Sequence, residues 1–403
     1  MADTTRGAAL PPANGGDRSW AGLSAVVALL CGIGLMMVLS ASSVSALRVY
    51  GGPWVLFERQ LVWVVAGAVA MAVAARVDYR KWRRLAIPLT VVCMGLLVLV
   101  LVPSLGVTVS GSSRWIGIGQ ARFQPSEVMK LAMLLFTADL LARRTARWGS
   151  AAVVLQPVLL VTAAAALLIL KQPDMGTAMI MVLVVLTVLF VGGVPLARMG
   201  LLTLAVSSAG LFFSLAEGYR RARMFSFMNP WKDPSNTGYQ MAQSLVALGT
   251  GHLTGVGLGA SRAKWGFLPN AHTDFIFAII GEELGLVGTV LVVALFAAFA
   301  VLGVRAAIRA PDHFGTLLAS GVTVWVVGQA VINVGAVIGI LPVTGVPLPF
   351  VSFGGSSLVI TMAAVGMLAN VARQGCAAGG ADAGLPADAP APRRLGVVSS
   401  VFG

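Results

Sequence analysis

Long apolar runs recur ten times along the chain between residues 20 and 373, and polar or glycine-rich segments separate them. A helix needs about 20 apolar residues to cross the core of a bilayer, and most of the runs reach that length. The pattern therefore predicts an all-α polytopic membrane protein of about ten transmembrane helices. The predicted spans are 20–47, 57–77, 84–103, 126–142, 151–170, 174–194, 196–216, 274–304, 315–340 and 347–373.

The segments outside these runs complete the predicted organisation. Residues 217–273 form one large loop between the seventh and eighth spans. Residues 1–19 and 374–403 are rich in Ala, Gly and Pro, which predicts disordered tails on either side of a membrane domain at 20–373. The first run is too long for the apolar region of a signal peptide, so it counts as a span.

Composition supports the membrane prediction, with 58% hydrophobic and only 11% charged residues. A soluble globular domain carries about 25% charged residues, so an ordinary soluble enzyme, a disordered chain and a solenoid are excluded. Part of the net charge of +13 comes from basic residues in alternate loops, the pattern of cytoplasmic loops. Both termini are therefore predicted to be cytoplasmic. The loop 217–273 is an exception to the charge pattern because it holds six basic residues, and counting spans predicts that it is extracytoplasmic. Nucleic acid is not an expected partner.

Few titratable groups lie on the predicted outer side. Asp274 opens an apolar helix, where it could cap the helix N-terminus or act in chemistry. Glu282 and Glu283 follow two turns deeper, where ionised groups either make paired structural contacts or face a cavity. His272 could tune Asp274 or replace it as a base, or simply bond the loop.

Residues 111–130 form a second unusual stretch. Pro125 and Ser126 predict a helix start with Ser126 as the cap. Lys130 could pair locally with Glu127, three residues before it, or face an outer carboxylate such as Asp274.

Metal and nucleotide motifs are missing from the sequence. The three histidines are too scattered for a metal cluster, and the three cysteines form no framework. The glycines between residues 249 and 259 are not followed by a phosphate-binding motif.

Four stretches together resemble the SEDS family (FtsW, RodA and SpoVE), membrane proteins that polymerise peptidoglycan strands from lipid II. The resemblance covers roughly residues 20 to 373, and the cell-division branch, FtsW, is the most similar. The stretches are Gly111-Ser-Ser-Arg-Trp-Ile with Gln124-Pro-Ser-Glu-x-x-Lys130; Gln172-Pro-Asp-Met-Gly-Thr177; Trp231-x-Asp-Pro through Gly238-Tyr-Gln-x-x-Gln-Ser244 to the segment 272–285; and Asn333 through Gly339-Ile-Leu-Pro-Val-Thr-Gly345 to Ser352-Phe-Gly-Gly-Ser-Ser357.

The resemblance implies that Asp274 is the essential carboxylate, that Lys130 faces it across a cavity, and that Trp115 supports activity, although an interfacial belt residue would also be a tryptophan. Asn270 and His252 depart from the family pattern, which has Glu and Gly there. The other supporting or substrate-binding candidates are Arg114, Glu127, Gln124, His272, Thr273, Glu282, Tyr239, Gln243 and Ser356.

The function implied by the resemblance is polymerisation of lipid II into β-1,4-linked glycan during septal wall synthesis, at the outer face of the bacterial cytoplasmic membrane. Asp274 would be the general base. The implied partners are lipid II, a glycan on undecaprenyl pyrophosphate, a class B penicillin-binding protein and division-complex regulators, with Mg²⁺ or Mn²⁺ as a possible cofactor. The alternatives are a lipid II flippase, an elongation or sporulation polymerase, and a non-catalytic scaffold. Candidate cations for the pyrophosphate are Arg114, Arg220, Arg221, Arg223, Arg262 and Lys130.

Overall fold

The computed structural model describes residues 15–102, 106–109, 112–118, 121–144, 151–216, 218, 221 and 225–382. Over these residues the chain forms eleven α-helices, and ten of them coincide with the predicted spans, confirming the membrane fold. Most of the two predicted tails lies outside the described residues. The helices are α1 Gly15–Tyr50, α2 Val55–Arg76, α3 Ala86–Val100, α4 Pro125–Arg144, α5 Ala151–Lys171, α6 Met175–Val191, α7 Leu196–Ala216, α8 Tyr239–Thr250, α9 Ile276–Ile308, α10 His313–Val337 and α11 Gly355–Asp382.

Six segments of the described chain are long and apolar enough to cross a membrane, and three shorter apolar helices accompany them. The shorter ones are Leu155–Lys171, Met175–Val191 and Leu196–Ser208. The helix α4 is long enough to cross a membrane, at 20 residues, but it is too polar to be counted among these helices. Its first four turns are almost entirely buried against α3, α6 and α10. A helix that is surrounded by protein does not need an apolar face for lipid. This explains how α4 can carry Glu127, Lys130 and Asp139.

A small antiparallel sheet joins α3 to α4, in a region that the apolar pattern leaves as a loop. Its strands are β1 Val107–Val109, β2 Ser112–Ile118 and β3 Ala121–Phe123, in the order β1-β2-β3. Val107 is opposite Trp115, and Ile116 is opposite Phe123. The sheet leads directly into the N-terminus of α4.

The long link between α7 and α9 is partly a packed layer rather than an open loop. It contains α8, which packs on α9 and α10, and the Ser244 hydroxyl of α8 donates to the Val337 carbonyl at 2.8 Å. Before α8, the carboxylate of Asp233 accepts hydrogen bonds from Asn236 and Thr237. The backbone N–H of Thr237 is the main reason that the pKa of Asp233 is lowered.

The helix α9 is interrupted at Gly285, which has φ 67° and ψ −160°. The break frees the carbonyls of residues 282–283 and the N–H groups of residues 286–287 from helical bonding. The segment 252–257 satisfies all four groups through backbone hydrogen bonds of 2.9 to 3.2 Å. Buried backbone groups need such partners, so the glycine-rich segment and the broken helix complete each other.

Candidate active site

Lys130 projects from the second turn of α4 into the protein interior, and its side chain is only 2% exposed. Its Nζ lies 2.9 Å from Glu127 Oε2 and donates to Gln329 Oε1 at 3.2 Å. The same nitrogen lies 4.9 Å from the ring centroid of Trp325. A buried ammonium needs such partners, because its desolvation costs several kcal/mol. The structure thus pairs Lys130 with Glu127, one of the two predicted alternatives, and adds two partners from α10.

Asp274 lies in the turn before α9. Phe275 occupies the N-cap position of that helix, so Asp274 precedes the cap. Its side chain is only partly buried. A Cβ added at Gly345 would lie 3.6 Å from Asp274 Oδ2, which places the carboxylate against the loop between α10 and α11.

The main chain around Asp274 is held at three successive carbonyls. The carbonyl of His272 accepts from the N–H of Phe353 at 2.9 Å. Those of Thr273 and Asp274 accept from Ser352 Oγ at 2.6 Å and from Asn333 Nδ2 at 2.7 Å. The backbone is therefore fixed while the carboxylate stays partly accessible, as a catalytic group requires.

Two amides, Gln329 and Asn333, lie one turn apart on α10 and contact both main candidates. Gln329 accepts from Lys130 and donates to the 347 carbonyl at 2.9 Å. Asn333 donates to the Asp274 carbonyl and to the 346 carbonyl, both at 2.7 Å. Gln329 is not among the predicted site residues. The available signal is an uncharged amide inside an apolar run, since polar groups within spans usually have specific partners.

Buried Asp174 gathers a second polar cluster at the start of α6. Its Oδ2 accepts from Gln124 Nε2 at 2.7 Å and from Ser126 Oγ at 3.3 Å. The backbone N–H of Gln124 donates to Ser356 Oγ at 3.3 Å. Because α4 begins at Pro125, Ser126 lies inside its first turn, and its hydroxyl donates to Asp174 rather than capping α4 as predicted.

Arg114, on β2, is attached to the same cluster. Its Nε donates to the Gln172 carbonyl at 3.1 Å, its Nη2 donates to the Pro173 carbonyl, and its Nη1 lies 3.9 Å from Asp174 Oδ1. This guanidinium is therefore committed to the turn before α6, which weakens its case as a pyrophosphate ligand. Trp115, the next residue, is partly buried.

Glu282 and Glu283 hold the long link against α9. Glu282 accepts hydrogen bonds from one hydroxyl and two backbone N–H groups of the segment 261–263. Glu283 accepts from Ser40 Oγ at 2.6 Å and lies 3.6 Å from Lys264 Nζ. These are the paired structural contacts that the sequence left open for both residues.

His272 packs its ring edge-on against Phe353, with centroids 5.8 Å apart. Burial lowers the pKa of His272 below its usual value, because desolvation disfavours the charged imidazolium. The imidazole, two residues from Asp274, therefore binds a proton less readily than an exposed histidine does.

Both departures from the family pattern lie at positive φ, His252 at 47° and Asn270 at 57°. Glycine adopts this region freely, and Asn and His are enriched there among the other residues. The Asn270 carbonyl accepts the N–H groups of Thr273 and Phe275, so Asn270 forms the turn that presents Asp274.

The other predicted residues lie further from these contacts. Tyr239 and Gln243 are partly buried on α8, and Arg221 and Arg262 are exposed. Arg220 and Arg223 lie outside the described residues. Within the described ranges, no three His, Cys, Asp or Glu side chains group as they would to hold a metal ion.

Comparison with known proteins connects this geometry to a family. Residues 21–376 match the family model for cell cycle proteins of the FtsW/RodA/SpoVE type. The chain is 41% identical over 346 residues to a probable peptidoglycan glycosyltransferase FtsW of Geobacter metallireducens, covering 86% of this chain and 92% of that protein. It is 43% identical over 348 residues to the stage V sporulation protein E of Bacillus subtilis, covering 86% and 95%. A solved structure described as "Structural coordination of polymerization and crosslinking by a peptidoglycan synthase complex" matches with a TM-score of 0.71 at 30% identity, covering 88% of this chain and 98% of that one.

Proposed function

This chain belongs to the FtsW/RodA/SpoVE family of cell cycle proteins, and we propose that it is a peptidoglycan glycosyltransferase that polymerises lipid II during septal wall synthesis. Relatives that carry the name of this enzyme match most of the chain. The observation that carries the proposal is the fixed backbone and partly exposed carboxylate of Asp274.

In the proposed reaction, Asp274 is the general base. The 4-hydroxyl of the acceptor GlcNAc loses its proton to the carboxylate as its oxygen forms a bond to the anomeric carbon of the donor. The bond from that carbon to the pyrophosphate of the undecaprenyl carrier breaks, and the pyrophosphate leaves with the electron pair. Attack from the face opposite to the leaving group converts an α-linked donor into a β-1,4-linked product. A sugar hydroxyl is a weak nucleophile, so it needs a positioned base.

The pyrophosphate needs positive charge but no proton from a second carboxylic acid. Among the outer cations that the structure describes, Arg221 and Arg262 are exposed, whereas Arg114 and Lys130 are engaged with protein groups. We therefore favour Arg221 and Arg262 as cations for the pyrophosphate. Mg²⁺ or Mn²⁺ would supply further charge as an ion that pyrophosphate brings with it. Chelation with EDTA tests this point: loss of polymer that returns on adding Mg²⁺ or Mn²⁺ is the expected result.

The neighbouring structure of a synthase complex supports a partner for this chain. We propose that a class B penicillin-binding protein cross-links the strands and that division-complex regulators control the pair. The site of action in the proposal is the outer face of the bacterial cytoplasmic membrane at the septum, with both termini in the cytoplasm.

The test is polymerisation of labelled lipid II by the purified protein together with its transpeptidase partner. Wild type should produce polymer and Asp274→Asn should not, because asparagine cannot accept the proton. Asp233→Asn is the matched control, since Asp233 is an outer carboxylate that organises only a local turn. Polymer from a folded Asp274→Asn variant would refute the base assignment. If wild type makes no polymer but moves labelled lipid II across vesicle bilayers, the flippase alternative replaces the proposal.

A further inference from the structure

We infer that Gln329 and Asn333 are positioning residues that set the separation between the Lys130 ammonium and the Asp274 carboxylate, a role that rests on the proposed glycosyltransferase function. The inferred role does not require either side chain to contact the substrate or the reacting atoms. Each acts through another residue that it holds, and the two work from one rigid surface.

Both amides are buried where a polar group is costly. Gln329 is 3% exposed and Asn333 is 2% exposed, and both lie inside a helix whose described neighbours are mostly apolar. A buried amide costs free energy unless it is hydrogen-bonded. Both polar groups of Gln329 and the Nδ2 of Asn333 are bonded, whereas Asn333 Oδ1 has no partner among the described residues. Packing alone would be served better by an apolar side chain at either position, so the bonds themselves explain the residues.

The two amides contact different residues and in different ways. Gln329 acts on Lys130 as an acceptor, through Oε1 at 3.2 Å, and Trp325 Nε1 donates to the same oxygen at 3.1 Å. Asn333 acts on Asp274 as a donor, through Nδ2 at 2.7 Å. Both also donate to the 346–347 carbonyls of the loop that contacts the Asp274 carboxylate.

Gln329 and Asn333 are four residues apart on α10. Residues four apart on a helix lie on one face, separated by about 6 Å along the axis. Lys130 comes from α4 and Asp274 from the turn before α9, two elements far apart in sequence. The helix α10 therefore acts as a common spacer for the two side chains, and a shift of about 1 Å in the position of the Asp274 base relative to the acceptor hydroxyl can cost about 100-fold in rate.

The test compares variants that separate donor from acceptor at each position. Gln329→Met and Asn333→Leu remove both functions. Gln329→Glu keeps the acceptor that faces Lys130, whereas Asn333→Asp keeps the size and an acceptor oxygen but loses the Nδ2 donor that binds the Asp274 and 346 carbonyls. Lipid II polymerisation is measured with the partner present, as kcat and KM, and is normalised to the folded fraction. Thermal midpoints are recorded for every variant.

We expect Gln329→Met and Asn333→Leu to lower kcat per folded molecule by about 10- to 100-fold, with KM changed less than about threefold. Gln329→Glu should recover activity although it buries an extra carboxylate and should melt at a lower temperature than Gln329→Met. Asn333→Asp should recover none. If Gln329→Glu is more active than Gln329→Met although it is less stable, a merely structural role for Gln329 cannot explain the result.

A buried amide elsewhere in the bundle provides the control. Asn370 of α11 is 1% exposed, donates to the Ala75 carbonyl at 2.7 Å and accepts from the Tyr79 N–H at 3.1 Å. Asn370→Leu should lower the thermal midpoint while leaving kcat per folded molecule within about twofold of wild type.

Three outcomes would overturn the inference. Activity of Gln329→Met and Asn333→Leu within twofold of wild type would do so and leave the proposed function standing. Activities that simply follow the melting temperatures would do the same. If Gln329→Glu does not fold, Gln329→His, which offers an acceptor nitrogen, takes its place and must exceed Gln329→Met. Wild type without polymerising activity would overturn the proposed function and this inference together.

Discussion

The contact between the glycine-rich segment and the break in α9 makes a sharp prediction for Gly255→Ala. Gly255 has φ +80°, and a Cβ there would lie 2.1 Å from the Glu283 carbonyl oxygen. Real Cβ atoms do not approach that closely, and the obstacle is backbone rather than a movable side chain. The segment must therefore shift, which breaks at least the adjacent hydrogen bonds from the N–H groups of Val256 and Gly257.

The expected cost follows from these losses. Two backbone hydrogen bonds contribute about 1 kcal/mol each, and a left-handed conformation costs an L-residue about 1–2 kcal/mol. The change should therefore destabilise the native fold by about 3–4 kcal/mol. Gly259→Ala is the matched control: its φ is +78°, but the nearest atom to an added Cβ is Lys264 Nζ at 4.0 Å. It should cost only the conformational part, about 1–2 kcal/mol.

Hydrogen–deuterium exchange on the detergent-solubilised protein measures the loss of these backbone hydrogen bonds directly. In wild type, the amides of residues 256–257 and 286–287 should be protected, because each is bonded across the break. Gly255→Ala should remove that protection and lower the thermal midpoint more than Gly259→Ala does. Equal midpoints for the two variants, or unchanged protection in Gly255→Ala, would refute the argument that the clamp depends on backbone contact.

Three further predictions concern the surroundings of the site. Lys264→Met or Glu283→Gln should each cost about 3 kcal/mol in thermal unfolding, because each leaves the other charge of a buried ion pair without its counter-ion; the double variant should cost less than the sum, and additive losses would disprove the coupling. Because burial lowers the pKa of His272 from 6.5, its contribution to stability is complete above that value and is lost as pH falls below it, so wild type should lose more of its thermal midpoint than His272→Gln between about pH 7.5 and about pH 5.5. Gly176→Ala should lower polymerisation by at least about 10-fold, because the added methyl group meets the 344–346 loop, including a carbonyl at 2.9 Å; full activity would show that this loop does not position Asp274.

The membrane helices were largely predictable, because each is specified by a local apolar run. The run 274–304 also predicts the helix that follows Asp274, but not its interruption at Gly285. A single glycine within an apolar run is ordinary, and the break depends on the segment 252–257, whose carbonyl and N–H groups replace the helical ones. That interaction joins two separate segments of the chain, so the hydrophobic periodicity of the helix does not predict it.

The site was predictable to a similar degree. The pairing of Lys130 with Glu127 follows from their spacing on a helix, and the structure has it. The convergence of Gln329 on Lys130, and of Asn333 on Asp274, depends on how α4, α9 and α10 pack together. Strands as short as β1 and β3, of three residues each, also lack the alternation needed to recognise them.

The interruption of α9 also indicates how deep the candidate site lies relative to the membrane. The intact helix would be about 50 Å long, well beyond a hydrocarbon core of about 30 Å, whereas 286–308 alone is about 35 Å long. The predicted first span gives the same depth: from its first residue, Trp20, α1 rises about 30 Å to reach Ser40, whose hydroxyl donates to Glu283 at 2.6 Å. We therefore expect one edge of the hydrocarbon near this contact.

On this estimate we expect Asp274 and the first turns of α9 at the level of the lipid headgroups, and Glu282 and Glu283 at the boundary rather than deep in the membrane. A polyprenyl chain can stay in the hydrocarbon while its sugar reaches the carboxylate. Hydrophobic mismatch changes the height of a span relative to the bilayer surface. We therefore expect the acyl-chain length of the host membrane to change the height of this carboxylate relative to a lipid-linked sugar.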